Sequence, residues 1–243
     1  MNLAIDIGNS SCKTGVYSAD KKEYISSSGT DDTTELENII SRFPVKRAMI
    51  SSVHKDDPRF VQVLVKAGIE AHLLSHNTPL PFYLRYDSPE TLGSDRIAAV
   101  AAAHNMFRGA NVLVIDAGTA VTIDLLGSDN VYLGGNISPG LQMRFRSLHD
   151  YTARLPLVSK SDSFGNLGLN TEESIRSGVQ SGLIFEINDY IRTLKNDYKD
   201  LKIIFTGGDG EFLAANTDSS HELIPDLVID GLNYILNYNA QTS

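Results

Sequence analysis

Cysteine occurs once in this chain of 243 residues, at Cys12, so no intrachain disulfide can form and no thiolate cluster exists to hold zinc. A reducing, cytoplasmic setting is expected. Long apolar runs are also missing. The most apolar stretch, Ile97 to Ala103, is far too short to span a bilayer, and the run from Met1 to Ile5 is broken by Asp6. Neither a membrane span nor an export segment is expected, so the N-x-S/T matches at Asn9 and Asn136 carry no glycosylation meaning. Positive charge is scarce: 21 Lys and Arg stand against 30 Asp and Glu, for a net charge of -9. A general nucleic-acid binder needs a basic face to displace counterions, and no nucleic-acid partner is expected here. A small anionic ligand stays open, because a few backbone N–H groups and one or two cations hold a phosphate inside an acidic protein.

What is present is alternation. Runs rich in Ile and Val end at turn residues at 3–7, 48–53, 112–115, 121–126 and 203–205, and read as strands. Between them, apolar residues at three- and four-residue spacing predict helices over 34–42, 58–67, 94–107, 171–194 and 227–237. The pattern implies an α/β protein. It also contains an echo: Ala4-Ile5-Asp6-Ile7-Gly8-Asn9-Ser10 is a strand running into Asp-x-Gly-polar, and Val114-Ile115-Asp116-Ala117-Gly118-Thr119 repeats it about halfway along. Each copy is followed by a second strand-like run. Two similar domains are therefore expected, at 1–110 and 111–243, with no Pro- or Ser-rich linker and a cleft between them. The segment 77–90, with Pro79, Pro81, Pro89, Phe82, Tyr83 and Tyr86, reads either as an irregular loop over that cleft or as a structural crossover.

At a strand end that turns into Gly8, Asp6 would project a carboxylate toward a metal-phosphate complex, with Asn9, Ser10 and Lys13 adding donors and one positive charge. A plain β-turn is the alternative, since Asp-x-Gly is common in hairpins. The second copy at Asp116 to Thr119 favours the functional reading, because two such turns could grip one phosphate chain from both sides. Rival loops fail. Gly8 to Thr14 lacks the second glycine of a P-loop and misplaces its lysine, and no complete G-x-G-x-x-G follows any predicted strand. Thr206-Gly207-Gly208 follows a strand and precedes a probable helix, where a flat base or ribose could meet bare backbone; an ordinary tight turn is the alternative.

These three elements, in this order, resemble the actin, Hsp70 and sugar-kinase superfamily, and further segments narrow the resemblance. Leu92 to Arg96 reads L-G-S-D-R and resembles the G-x-D-R substrate motif of type III pantothenate kinases. Asp116 to Ala120 resembles that family's second phosphate motif. Gly134 to Gly140 (G-G-N-I-S-P-G) and Gly168 to Thr171 (G-L-N-T), followed by Ile175 and Gly178, are similar to its later signature segments. The resemblance runs from Asp6 to Gly208. Ser10 stands where threonine is usual and Ser94 where alanine is common, and the hydroxyl is kept in the first case.

The resemblance implies two ribonuclease-H-like, actin-like domains and ATP-dependent phosphorylation of pantothenate to 4'-phosphopantothenate in coenzyme A synthesis. It implies that Asp6, Ile7, Gly8, Asn9, Ser10, Ser11, Cys12, Lys13 and Thr119 contact ATP with Mg²⁺, with Gly207 and Gly208 on the adenosine side. Asp116 would help bind an activating monovalent cation, K⁺ or NH₄⁺. Tyr86, Gly93, Ser94, Asp95, Arg96 and Thr171 would contact pantothenate, with Asp95 as proton acceptor. It also implies a homodimer, in which Thr171 serves its own pocket or the neighbour's. The dimer draws some support from the apolar helices at 171 onward and 227 onward. Plainer readings stand beside these. Asp95 suits a helix first turn, Arg96 an exposed helix position, Tyr86 simple packing, Thr171 a helix N-cap, and Cys12 a packed thiol. His54, His104 and His149 show no metal-ligand spacing and read as core or surface residues. Another phosphotransferase or phosphohydrolase of the same fold, such as a sugar kinase or polyphosphatase, and a nucleotide-binding regulator without turnover are the competing functions.

Overall fold

A computed structural model describes residues 1–30, 32–53 and 58–242 of the chain, which leaves His54 outside the described residues. The chain forms two compact units. The first comprises Met1–Gly109, Leu126–Gly134 and Asp226–Ser243, and the second Ala110–Leu125 and Gly135–Pro225. This differs from two consecutive halves, because the carboxyl-terminal helix returns to the first unit and a short hairpin tip joins it.

In the first unit five strands, β1 (Asn2–Ile7), β2 (Cys12–Ser18), β3 (Lys21–Ser28), β4 (Arg47–Ser52) and β5 (Glu70–Leu73), form a sheet in the order β3-β2-β1-β4-β5. β1 pairs antiparallel with β2 and parallel with β4. A two-residue strand, β6 (Tyr83–Leu84), lies within the expected loop 77–90. The second unit is built on β7 (Val112–Ala117), β8 (Ala120–Leu126), β9 (Val131–Pro139), β10 (Lys202–Thr206) and β11 (Glu222–Leu223), in a six-stranded sheet of order β11-β10-β7-β8-β9-β6. With β7 counted as the first strand and the edge strand β6 set aside, that order matches the first sheet. The echo in the sequence is thus a repeated topology, and β1 and β7 share the same burial pattern along their lengths. The tip of the β8–β9 hairpin, residues 126–134, belongs to the first unit, where Tyr83 and Leu84 pair with Val131 and Tyr132.

Helices α1 (Thr34–Arg42), α2 (Arg59–Lys66) and α3 (Ser94–Met106) belong to the first unit, α4 (Leu141–Asp150), α5 (Thr171–Asp197) and α6 (Gly210–Ala215) to the second, and α7 (Leu227–Thr242) to the first. Strand periodicity of two sorts the side chains of β1 onto two covered faces. Leu3, Ile5 and Ile7 join Leu36, Ile39, Phe60 and Leu64 of α1 and α2 in one core. Asn2, Ala4 and Asp6 face the other way, where the Asn2 amide donates to Asn233 and Asn237 of α7.

α3 is buried from Arg96 to His104 and packs along α7. The two come so close that a Cβ on Gly231 would overlap the Ala98 carbonyl. Leu227, Ile229, Leu232, Ile235 and Leu236 of α7 are buried in this packing. The apolar face of α7 is therefore covered inside its own unit and offers no surplus for a dimer. Among the described residues no helix is long and apolar enough to cross a membrane.

Candidate functional site

The first Asp-x-Gly turn links β1 to β2. Asp6 lies in register with Lys13, and the Gly8 N–H donates to the Ser11 carbonyl at 3.0 Å, closing the turn. Asn9, Ser10 and Ser11 are exposed at its tip, while Ile7 and Cys12 are buried. The Cys12 side chain faces the core, and burial, reinforced by the negative charge of Asp6, pushes its thiol up to about 12. Cys12 is thus a packed thiol whose main chain alone borders the turn. Lys13 donates to Asp226 at 3.0 Å, and the other oxygen of Asp226 accepts from Lys22 at 2.9 Å.

Asp6 is set apart by its surroundings. The adjacent parallel strand places Ser51 beside it, fully buried. Desolvation drives the Asp6 carboxyl up to about 6. A hydrogen bond from Ser51 opposes this, the nearby charge of Asp95 adds to it, and Lys13 lowers it again. Asp95 arrives on the first turn of α3, whose start is tied to β4 by Ser94. The Ser94 hydroxyl lies 3.0 Å from that of Ser51 and accepts from the Ser52 N–H at 3.3 Å. The Asp95 carboxylate accepts from the Arg96 N–H at 2.9 Å and lies over Gly93, where a Cβ would push that carboxylate aside. Sequence reading brought Asp6, Lys13 and Asp95 forward but missed Ser51, whose only signal is the one-residue alignment of two strands far apart in the chain.

Arg96 is buried, which removes the plainer alternative of an exposed helix charge, and its guanidinium donates to the Tyr132 hydroxyl at 3.0 Å. The half-buried Tyr86 packs its ring against the same Tyr132, centroid to centroid 5.9 Å. The first unit thus gathers Asp6, Lys13, Ser94, Asp95, Arg96 and Tyr86. His104 is also buried, in the α3–α7 packing, with its Nδ1 3.3 Å from the Tyr234 hydroxyl. His149 caps the Leu155 carbonyl at the surface.

In the second unit, Asp116 stands at the end of β7, in register with buried Thr206 of β10. Gly207 has φ +85, and a Cβ there would collide with the Asp116 carboxylate and the Ala117 carbonyl. Gly208 beside it is exposed, with open space where a side chain would stand. The carbonyl of exposed Thr119 accepts from the Gly140 N–H at 3.1 Å, and a Cβ on Gly140 would overlap the Gly118 and Thr119 carbonyls. The last glycine of the 134–140 segment is therefore seated directly on the second turn. Thr171 is the exposed first residue of α5 and does not cap it. Asn170 is the cap, accepting from the Glu173 N–H at 3.0 Å, while the Glu173 carboxylate accepts from the Leu169 N–H. Thr171 looked like the cap because hydroxyl and amide caps cannot be told apart by composition at adjacent positions.

Two sheets of one strand order, each with an Asp-x-Gly turn leaving its first strand, define a protein of the actin-like ATPase and sugar-kinase fold. A ROK family glucokinase from Streptomyces griseus, solved with glucose and AMPPNP, shares that fold at TM-score 0.51 and 11% identity over 96% of this chain and 97% of that one. The family model for type III pantothenate kinase matches residues 2–193, and the chain belongs to that family. It is 43% identical to the type III pantothenate kinase of Phocaeicola vulgatus, covering 98% of this chain and 99% of that one. A Campylobacter jejuni structure described as a Baf family transcriptional activator is 25% identical at TM-score 0.64, over 98% and 99% of the two chains.

Proposed function

We propose that Asp95 accepts the proton of the pantothenate hydroxyl as its oxygen attacks the γ-phosphorus of ATP. The overall reaction follows from the family: ATP and pantothenate give ADP and 4'-phosphopantothenate in coenzyme A synthesis. The hydroxyl O–H breaks, a new O–P bond forms, the bond from the γ-phosphorus to the bridging oxygen breaks, and the proton passes to a carboxylate. One observation carries the assignment: α3 brings Asp95 to the strand ends where Asp6 and Ser51 stand, close enough for its charge to act on Asp6. In a loose phosphoryl-transfer transition state positioning contributes most of the rate, so the placing of the carboxylate is what Asp95 supplies.

Among the described residues no three His, Cys, Asp or Glu side chains are grouped so as to hold a metal ion by themselves. Mg²⁺ needs no such cluster, because it keeps several waters and is held by one or two carboxylates with substrate phosphates. Asp6, at a strand end and partly stripped of water by burial, would be such a carboxylate, and Mg²⁺ would supply charge neutralisation of the phosphates there. Asp116 would hold K⁺ or NH₄⁺, offsetting its repulsion of the same phosphates. The exposed tip of the first turn, Lys13 and Thr119 would contact the phosphates, Gly207 and Gly208 the adenosine side, and Tyr86, Gly93 to Arg96 and Thr171 pantothenate. The working form is a cytoplasmic homodimer with no nucleic-acid or membrane partner.

The experiment is ADP release by purified protein with pantothenate, with a sugar panel and with no acceptor, in K⁺, NH₄⁺, Na⁺ and a bulky organic cation at equal ionic strength. Release that depends on pantothenate and is fastest in K⁺ or NH₄⁺ is expected. Equal rates in all four cations remove the role of Asp116. The likeness to the Campylobacter jejuni protein supports a second reading, a nucleotide-binding regulator without turnover, although the charge of -9 opposes DNA contact. Absence of ADP release in every arm would favour it.

A further inference from the structure

Tyr132 touches both Arg96 and Tyr86, and it comes from a distant part of the chain. It sits on β9, at the hairpin tip 126–134 that the second half of the sequence contributes to the first unit. Its side chain is 1% exposed, its hydroxyl accepts from the Arg96 guanidinium at 3.0 Å, and its ring packs against Tyr86 at 5.9 Å and 51°. The backbone around it is fixed as well: the Arg85 N–H donates to the Tyr132 carbonyl at 3.0 Å, and Leu84 lies in register with it. A planar guanidinium presents its donors in a rigid fork, so a bond to one nitrogen sets the direction of the others.

We propose that Tyr132 is a positioning residue of the acceptor pocket, whose hydroxyl aims the Arg96 fork at the carboxylate of pantothenate while its ring backs Tyr86. The inference rests on the reading of Arg96 as the holder of that carboxylate. Tyr132 itself touches neither the reacting hydroxyl nor ATP in this scheme. Its removal therefore acts on recognition of the carboxylate end and leaves phosphoryl transfer from bound substrates largely intact.

The test compares wild type, Tyr132→Phe, Arg96→Gln and the double variant, with KM for pantothenate, KM for ATP, kcat and melting temperature measured on each. A second ligand separates aiming from mere packing: the alcohol analogue in which the carboxylate is reduced to CH₂OH, assayed as substrate or as competitive inhibitor. Tyr132→Phe keeps the ring and loses one charge-assisted hydrogen bond, so KM for pantothenate is expected to rise roughly 5- to 50-fold, with KM for ATP unmoved and the alcohol analogue bound as before. In the Arg96→Gln background the same change is expected to add little. If Arg96→Gln leaves KM for pantothenate unchanged, the reading beneath the proposal is lost. If Arg96→Gln raises it but Tyr132→Phe shifts both ligands equally, or neither, the positioning role is overturned.

Discussion

The Asp6 turn and the Asp116 turn occupy the same place in two sheets of the same order, yet the chain supports them differently. Each aspartate lies in register with a buried hydroxyl residue on the neighbouring parallel strand, Ser51 for Asp6 and Thr206 for Asp116. One residue further on they diverge. Ser52 follows Ser51, and its N–H is taken by Ser94 at the start of a 13-residue helix. Gly207 follows Thr206 with φ +85, leading into a short helix whose preceding Asp209 N–H bonds the Ala117 carbonyl at 2.8 Å. The first turn thus gathers Ser51, Ser94 and Asp95 beside its aspartate, whereas the glycines Gly207 and Gly208 leave backbone open beside the second. The proposed proton acceptor, Asp95, stands beside the first turn, and the proposed adenosine side, Gly207 and Gly208, beside the second.

The largest expected effect separates the two turns by chemistry. Asp95→Asn keeps the shape beside the first turn but accepts no proton, so kcat should fall roughly 10²- to 10⁴-fold while ATP affinity and melting temperature stay near wild type. A folded, ATP-binding variant with full turnover ends the catalytic assignment. Exchanging the residues beyond the hydroxyls comes next. Gly207→Ser forces a left-handed backbone and a clash with Asp116, and should cost about 2 to 4 kcal/mol in denaturant unfolding. The reciprocal Ser52→Gly should cost only about 0.5 to 1 kcal/mol. Equal losses would show that the two turns are built alike after all.

A smaller effect sharpens the comparison through pH. The folded-state value of Asp6 lies at about 6 against 3.8 for the free side chain. The native state therefore binds more protons between these values, and stability is fully present below about pH 4 and falls as pH rises through 6. Asp6→Asn should abolish that decline, making the variant more stable than wild type by roughly 1 to 3 kcal/mol at pH 7 and level with it near pH 4. Unfolding curves at both pH values without nucleotide provide the check, and a variant no more stable at pH 7 would mean that burial does not burden Asp6. The smallest effect lies in the lysines. Asp226→Asn loosens Lys13 and Lys22 from a part-exposed pair, and should cost about 1 kcal/mol or less, declining with added salt.

Much of this arrangement was legible in the order of residues. The strands that end at Asp6 and Asp116, the helix that begins at Ser94 and the glycines at 207 and 208 announce themselves through periodicity and turn chemistry, which act over a few residues. Helix ends were read to within a few positions, except that α5 runs on to Asp197 and α7 to Thr242. The short strands β5, β6 and β11 escaped, because so few residues carry no measurable period; the longer β3 and β9 and helix α4 escaped as well, being rich in polar residues or glycine with few apolar positions to mark a face. The capping of α5 went to Asn170 because its carbonyl oxygen, rather than the Thr171 hydroxyl, meets the Glu173 N–H.

By itself the sequence determined the α/β class, the doubled Asp-x-Gly strand ends and the segments that place the chain in its family, since each is local and written in neighbouring residues. Tertiary structure alone decided who stands beside whom. Ser51 reaches Asp6 across paired strands, Tyr132 reaches Arg96 from a hairpin of the other half, and Asp226 reaches Lys13 across 213 positions. Such partners are chosen by register, by the covering of both sheet faces and by the return of α7 to the first unit. A carboxylate such as Asp6 acquires its unusual proton affinity only when folding strips away its water and sets Asp95 nearby.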